Sequence, residues 1–270
     1  MIERLKLYFV VFILAVVTIV LMPFQLIALT LNLPISRRIP LYWHRLAMWL
    51  VGVRVTVTGA APENKHLIIV ANHISWVDIP VLGSIMELSF ISKSEVGEMP
   101  GAGFMARLQR TVFIARDNKR DVANQAKEVT GRILKGDAMV LFGEGTTGNG
   151  NRLNRFKSSM FGAAKYALSD DDVEHVAIQP VSIAYKNLHG MPMGRFTRTK
   201  IAWYGDMTLG GHALNMMRLG AWDVEVTFGE PILFEHGSKR QEVSHEAYTR
   251  VRTMFVKSLY QRENAVETTS

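Results

Sequence analysis

Residues 7–36 carry no charged side chain, and thirty uncharged, largely apolar positions in a row constrain this chain more than any other feature. A helix needs about 20 apolar residues to cross the hydrocarbon of a bilayer, and a typical core helix of a globular domain is far shorter than thirty. A secretory signal would end at a small-x-small cleavage site, whereas the apolar character runs past Pro23 through LIALTLNL with no such site behind it. The segment therefore predicts membrane insertion. Arg4 and Lys6 precede it and Arg37, Arg38 and Arg45 follow it, so both flanks carry the positive charge that faces cytoplasmic headgroups. A single span satisfies one flank. A helical hairpin broken at Pro23, dipping into one leaflet and returning, satisfies both, and is the expectation.

The remaining composition narrows the chemistry. The 270 residues are 48% hydrophobic and 20% charged, enough for one catalytic domain beside the anchor. No cysteine is present, which removes disulfides, thiolate nucleophiles and Cys-ligated zinc. A formal charge of +7 attracts nucleic acid, anionic lipid or phosphorylated substrates alike. The basic residues are dispersed beside apolar segments instead of forming a run that tracks a nucleic-acid backbone, so the expected partner is the membrane lipid bilayer and not nucleic acid.

Beyond the anchor, YWHRLAMWLVG reads as an amphipathic helix with Tyr42, Trp43 and Trp49 as interfacial aromatics. VRVTVTG alternates as a half-buried strand, and HLIIVAN, AMVLF and VAIQPVSI are short continuous apolar runs of the buried-strand type. Helical patterns near DIPVLGSIM, KRDVANQAKEVTGRILKG and SSMFGAAKYAL separate them. This alternation predicts an α/β class, a mixed sheet flanked by helices, with the N-terminal membrane-embedded helical segment in front. TKIAWYGDM and WDVEVTFGEPI read as further strands, and QEVSHEAYTRVRTMFVKSLYQ as a closing helix. The expected division is 1–38 membrane anchor, 39–262 catalytic domain and 263–270 disordered tail.

The residues with chemical potential sit directly after strands, where open α/β sheets hold their ligands. Asn72, His73, Ile74, Ser75, Trp76, Val77 and Asp78 follow HLIIVA. Five residues do not align on one helix face, so His73 and Asp78 meet only if the chain turns between them and Asp78 opens the next helix. An aspartate accepting from one ring nitrogen fixes the tautomer, and the other nitrogen is then free to take a proton from a hydroxyl. Ser75 offers a competing acyl-enzyme scheme, but it lacks the G-x-S-x-G elbow and suits a turn hydrogen bond better. QRTVFIAR ends in Arg116, a cation suited to phosphate or carboxylate, or to an ordinary surface ion pair. AMVLFGEGTTGNG places Glu144 between Gly143 and Gly145, which allow close backbone approach. Pro180, inside AIQPVSIAY, predicts a bulge or strand end.

Taken in order, NHISWVD, VFIAR, LFGEGT and QPVSI resemble the four sequence blocks of the glycerolipid acyltransferase family, which includes lysophosphatidate acyltransferases. The resemblance spans about residues 40 to 235. It implies His73 as general base toward an acceptor hydroxyl, Asp78 as the residue orienting it, and Asn72 and Ser75 as supporting groups. It assigns Arg116, Glu144, Gly145 and Thr146 to substrate binding and site architecture. The implied reaction is direct attack of a lysolipid hydroxyl on an acyl thioester, carried by acyl carrier protein or coenzyme A, with no cofactor and no metal. The resemblance to bacterial members implies the inner (cytoplasmic) membrane, with the active site facing the cytoplasm.

One departure bears on the acceptor. The common third block reads Phe, Pro, Glu, Gly, Thr, Arg, whereas this chain has Phe142, Gly143, Glu144, Gly145, Thr146 and Thr147. Without that arginine an acceptor lacking a phosphate monoester is favoured. The EGTTGNG block with downstream AWYGDM resembles the branch acting on lyso-ornithine lipid, with lysophosphatidate the alternative acceptor. A non-catalytic membrane-binding protein and a Ser75-dependent lipid hydrolase are the competing classes, and the first has no need of either His73 or Asp78.

Overall fold

The computed structural model describes residues 2–60, 66–114, 119–168 and 173–260; Arg116 and the expected tail 263–270 lie outside the described residues. The chain opens with two helices, α1 (Ile2–Thr30) and α2 (Ile35–Val51). There follow β1 (Arg54–Thr58), β2 (Leu67–Ala71), α3 (Asp78–Ile85), β3 (Ser89–Lys93), α4 (Ser94–Glu98), α5 (Ala102–Leu108), β4 (Val112–Ile114), α6 (Lys119–Leu134) and β5 (Met139–Phe142). A 3-10 turn (Ser158–Phe161) leads into α7 (Gly162–Ala167), and the rest is β6 (His175–Leu188), β7 (Met191–Pro192), α8 (Arg195–Ile201), α9 (Leu209–Leu219), β8 (Trp222–Phe228), β9 (Ile232–Glu235) and α10 (Arg240–Tyr260).

The strands form one mixed sheet in the order β1-β8-β6-β2-β5-β3-β4, with β7 and β9 pairing the ends of β6. From β6 through β4 neighbours run parallel; β8 and β9 run antiparallel to β6. The continuous apolar runs follow from burial on both faces. In β2, Leu67, Ile69 and Ala71 enter one core with Met48 of α2 and Leu82 of α3. Ile68 and Val70 enter the other, with Ile133 of α6 and Val251 of α10.

Three expectations are corrected. Pro23 does not break the first helix: α1 runs continuously through it, and the chain reverses instead at residues 31–34, just before Pro34. A proline removes one intrahelical donor without obliging a turn, and Asn32 with φ 51° and Pro34 supply the turn chemistry that Pro23 lacks. TKIAWYGDM is not a strand but the end of α8 and an irregular segment, in which Trp203 donates its backbone N–H to Ile74 O (2.9 Å) and its indole N–H to Met207 O (2.8 Å). Pro180 causes neither a bulge nor a strand end. It lies inside β6 where the antiparallel partner changes from β9, ending at Ile178, to β8, starting at Val181, so its missing N–H leaves no ladder position empty.

Helix α1 contains Leu5–Thr30, a stretch long and apolar enough to cross a membrane. It lies alongside α2, α5 and α9. Gln25, buried, donates to Leu108 O at the end of α5 (2.6 Å) and to Ser36 O of α2 (2.9 Å), and Trp43 of α2 donates its indole N–H to Thr18 (2.9 Å). Tyr42 and Trp49 are exposed, while Trp43 is half-buried.

Candidate active site

Register brings the candidate residues together. Ala71 at the end of β2 pairs with Phe142 at the end of β5, so the turn after β2 and the glycine-rich loop after β5 leave the sheet at one edge. Asn72 continues the sheet with its side chain: the carboxamide donates to Ile183 O (3.0 Å) and accepts from Ile183 N–H (2.8 Å) on β6. Only an amide side chain copies both halves of a backbone pair, and the main chain is thereby free to turn.

It turns as the spacing requires, and Asp78 opens α3. The fully buried Asp78 carboxylate accepts on Oδ2 from His73 Nδ1 (2.9 Å), Ile74 N–H (2.6 Å) and Ser75 N–H (2.9 Å). With Asp78 accepting, the ring hydrogen sits on Nδ1 and Nε2 carries the lone pair. The imidazole stacks on Phe142, centroids 3.8 Å apart at 9°, and keeps 16% of its side chain exposed. One ring nitrogen is held by Asp78 and the side chain stays partly exposed, an arrangement that can serve a base. Ser75 is fully buried and its backbone N–H donates to Asp78, while its hydroxyl meets no hydrogen-bond partner among the described residues; the side chain makes neither the expected turn hydrogen bond nor an exposed nucleophile.

Glu144 joins the two loops. One carboxylate oxygen accepts His73 N–H (2.8 Å), the other accepts Asn154 N–H (2.8 Å), and Gly148 N–H closes the contact on His73 O (2.8 Å). Burial raises the Glu144 carboxyl to about 7, against the opposing pull of those backbone donors. Gly145, at φ 66°, makes the tight turn after it, with its N–H on Phe142 O (3.0 Å). Gly143 packs under Phe156, whose ring lies 2.6 Å from where a Cβ would stand. Thr146 is exposed at the loop tip, and Arg116 lies outside the described residues.

Three participants escaped the sequence reading. Phe142 enters the sequence reading only as the end of an apolar run and the first residue of the third block, and Asn154 carries no sequence signal of its own. Tyr185, on β6, donates its hydroxyl to the second oxygen of Asp78 (2.7 Å). Its signal was present, since a tyrosine in a largely buried strand needs a polar partner, but the partner is set by strand order.

A histidine oriented by a buried aspartate at the strand ends of a mixed sheet is an arrangement suited to general acid–base chemistry. A family model described as Acyltransferase matches residues 53–184. The lyso-ornithine lipid O-acyltransferase of Brucella abortus (strain 2308) is 42% identical over 263 residues, covering 97% of this chain and 98% of that protein. That of Rhizobium meliloti (strain 1021) is 43% identical over 241 residues, covering 89% and 82%. The crystal structure of the 1-acyl-sn-glycerophosphate (LPA) acyltransferase PlsC from Thermotoga maritima shares the fold, with a TM-score of 0.62 at 24% identity over 97% of this chain and 96% of that one. The chain belongs to the acyltransferase family and is an acyl-transferring enzyme.

Proposed function

We propose that the enzyme transfers a fatty acyl chain from an acyl thioester to the free hydroxyl of lyso-ornithine lipid, forming ornithine lipid, with His73 as general base and Asp78 as the residue that orients it. The observation that carries this is the His73 Nδ1–Asp78 Oδ2 contact at the strand ends, with Nε2 left accessible. Nε2 takes the hydroxyl proton as the oxygen attacks the thioester carbonyl. The C–O bond forms, the C–S bond breaks, and the proton passes from the imidazolium to the departing thiolate. Glu144, Gly145 and Thr146 shape the acceptor side, and Arg116 is assigned to the carboxylate of an amino-acid headgroup.

Two features favour lyso-ornithine lipid over lysophosphatidate as acceptor. Thr147 stands where the family's third block commonly has an arginine, and relatives similar over nearly the whole chain carry that activity in their names. Acyl carrier protein and coenzyme A both present a thioester on a phosphopantetheine arm, and the net charge of +7 suits either. Both occur in the cytoplasm, which favours a site on the cytoplasmic face of the inner membrane. The one-sided burial of α1, fastened by Gln25 and Thr18, supports residues 1–38 as an anchor seated in one leaflet by one continuous helix, ahead of the catalytic domain 39–262 and the tail 263–270.

The test is an assay of membranes holding the enzyme, with acyl thioester and either lyso-ornithine lipid or lysophosphatidate, followed by mass spectrometry. Product from lyso-ornithine lipid, abolished in His73→Ala while membrane binding persists, is the expected outcome. Turnover retained by His73→Ala overturns the mechanism, and product from lysophosphatidate alone overturns the acceptor.

A further inference from the structure

The Asp78 carboxylate is held on both oxygens. Oδ2 takes the turn and the imidazole; Oδ1 takes one donor, the hydroxyl of Tyr185, at 2.7 Å. Tyr185 is 1% exposed and sits on β6 two residues after Ile183, the residue whose backbone receives Asn72. The register between β6 and β8 shifts between Tyr185 and Asn187, an irregularity of the kind that re-aims a side chain. Burial and the Asp78 charge push the phenol well above its usual range, so it remains a donor throughout the working pH.

A structural reading is that a buried tyrosine needs an acceptor and Asp78 supplies one. The geometry says more. The backbone N–H groups of Ile74 and Ser75 hold Oδ2, and the Tyr185 hydroxyl adds a second attachment on Oδ1, so a tilt of the carboxylate away from His73 also costs the buried phenol its acceptor. The same bond draws negative charge away from the oxygen that faces His73.

We propose that Tyr185 is a positioning residue for acyl transfer, resisting tilt of the Asp78 carboxylate away from His73 Nδ1 and limiting the charge with which it holds the imidazolium. The proposal rests on His73 and Asp78 being the catalytic pair. The ionisable groups around it are His73, Asp78 and Glu144, the last interacting electrostatically with Asp78.

The experiment compares Tyr185→Phe, His73→Ala and Asp78→Asn in membranes, with kcat, KM and the pH profile of kcat/KM per folded enzyme. Tyr185→Phe is expected to lower kcat about tenfold, as loss of a group orienting a functional side chain commonly does, with KM for both substrates within about twofold. The acid limb of its profile moves to higher pH, because a carboxylate relieved of a donor holds the imidazolium more tightly. Placing 3-fluorotyrosine at position 185, a stronger donor of nearly the same shape, moves the limb the opposite way. Wild-type kcat and an unmoved limb in Tyr185→Phe, with His73→Ala and Asp78→Asn inactive, overturn the proposal. If Tyr185→Phe does not fold, the fluorotyrosine enzyme decides alone, an unmoved limb again overturning it. Turnover in His73→Ala or Asp78→Asn instead overturns the catalytic pair.

Discussion

Glu144 is the residue whose environment makes the sharpest demand on pH. Its carboxyl is 2% exposed and raised from 4.5 to about 7, chiefly by burial. Between those values the folded chain keeps a proton that the unfolded chain releases, so stability declines as pH rises through the window, and the loss is complete above it. Glu144→Gln removes that titration. Melting temperature against pH should flatten for the variant between about 4.5 and about 7, and an undiminished slope would show that another group carries it. The amide variant also turns its NH2 toward one of two backbone N–H groups, so it should be less stable at the acid end, where the wild-type carboxyl is neutral. His73, Asp78 and Glu144 were legible in the sequence because each follows a short apolar strand. Tyr185 was not, because its partner lies 107 residues away and becomes a neighbour only once β6 is known to pair with β2.

Among the elements, α3 carries the His73–Asp78 turn on its N-terminus and holds its place by contact with α2. Gly83 is where they meet: a Cβ there would stand 2.1 Å from His44 Nδ1. An eight-residue helix has little stability of its own, so Gly83→Ala should cost about 1–3 kcal/mol by overpacking and lower turnover by shifting Asp78. Chemical unfolding of the variant checks the first and an assay the second; adding His44→Ala should restore part of both. β2, β5 and β6 were readable from apolar runs, since burial on both faces leaves little choice of residue, and β1 and β8 from alternation, whereas β3 carries neither signal clearly enough to be read. TKIAWYGDM misled because its apolar residues pack under the turn between His73 and Asp78 at irregular spacing. Pro23 misled because a proline forbids one hydrogen bond, not the helix, and nothing local distinguishes it from the true turn except Asn32 and Pro34, nine and eleven residues on.

At the scale of the whole molecule, α1 has two characters. Leu7, Val10, Gln25 and Ala28 are buried against the domain, while Phe9, Phe12, Ile19 and Phe24 are exposed along its outer side. An apolar stripe of this length facing outward is a lipid contact. Replacing Phe9, Phe12 and Phe24 together by serine should move the enzyme from the membrane to the soluble fraction with its circular dichroism unchanged, because none of the three packs in the core. A protein still sedimenting with membranes would place the anchorage elsewhere.

The contacts of α1 reach further than anchorage. α1 rests on α9, His212 of α9 accepts the indole N–H of Trp76 at 3.0 Å, and Trp76 belongs to the turn between His73 and Asp78. On the proposed seating of α1 in the leaflet, this chain of contacts sets the depth of the imidazole relative to the lipid surface as a fixed elevation, like a float carrying a sounding line. The acceptor hydroxyl has to be presented at that level, and a lysolipid whose hydroxyl rides higher or lower pays in lost encounters, not in weaker binding. Headgroup length then becomes a criterion of selection separate from headgroup charge.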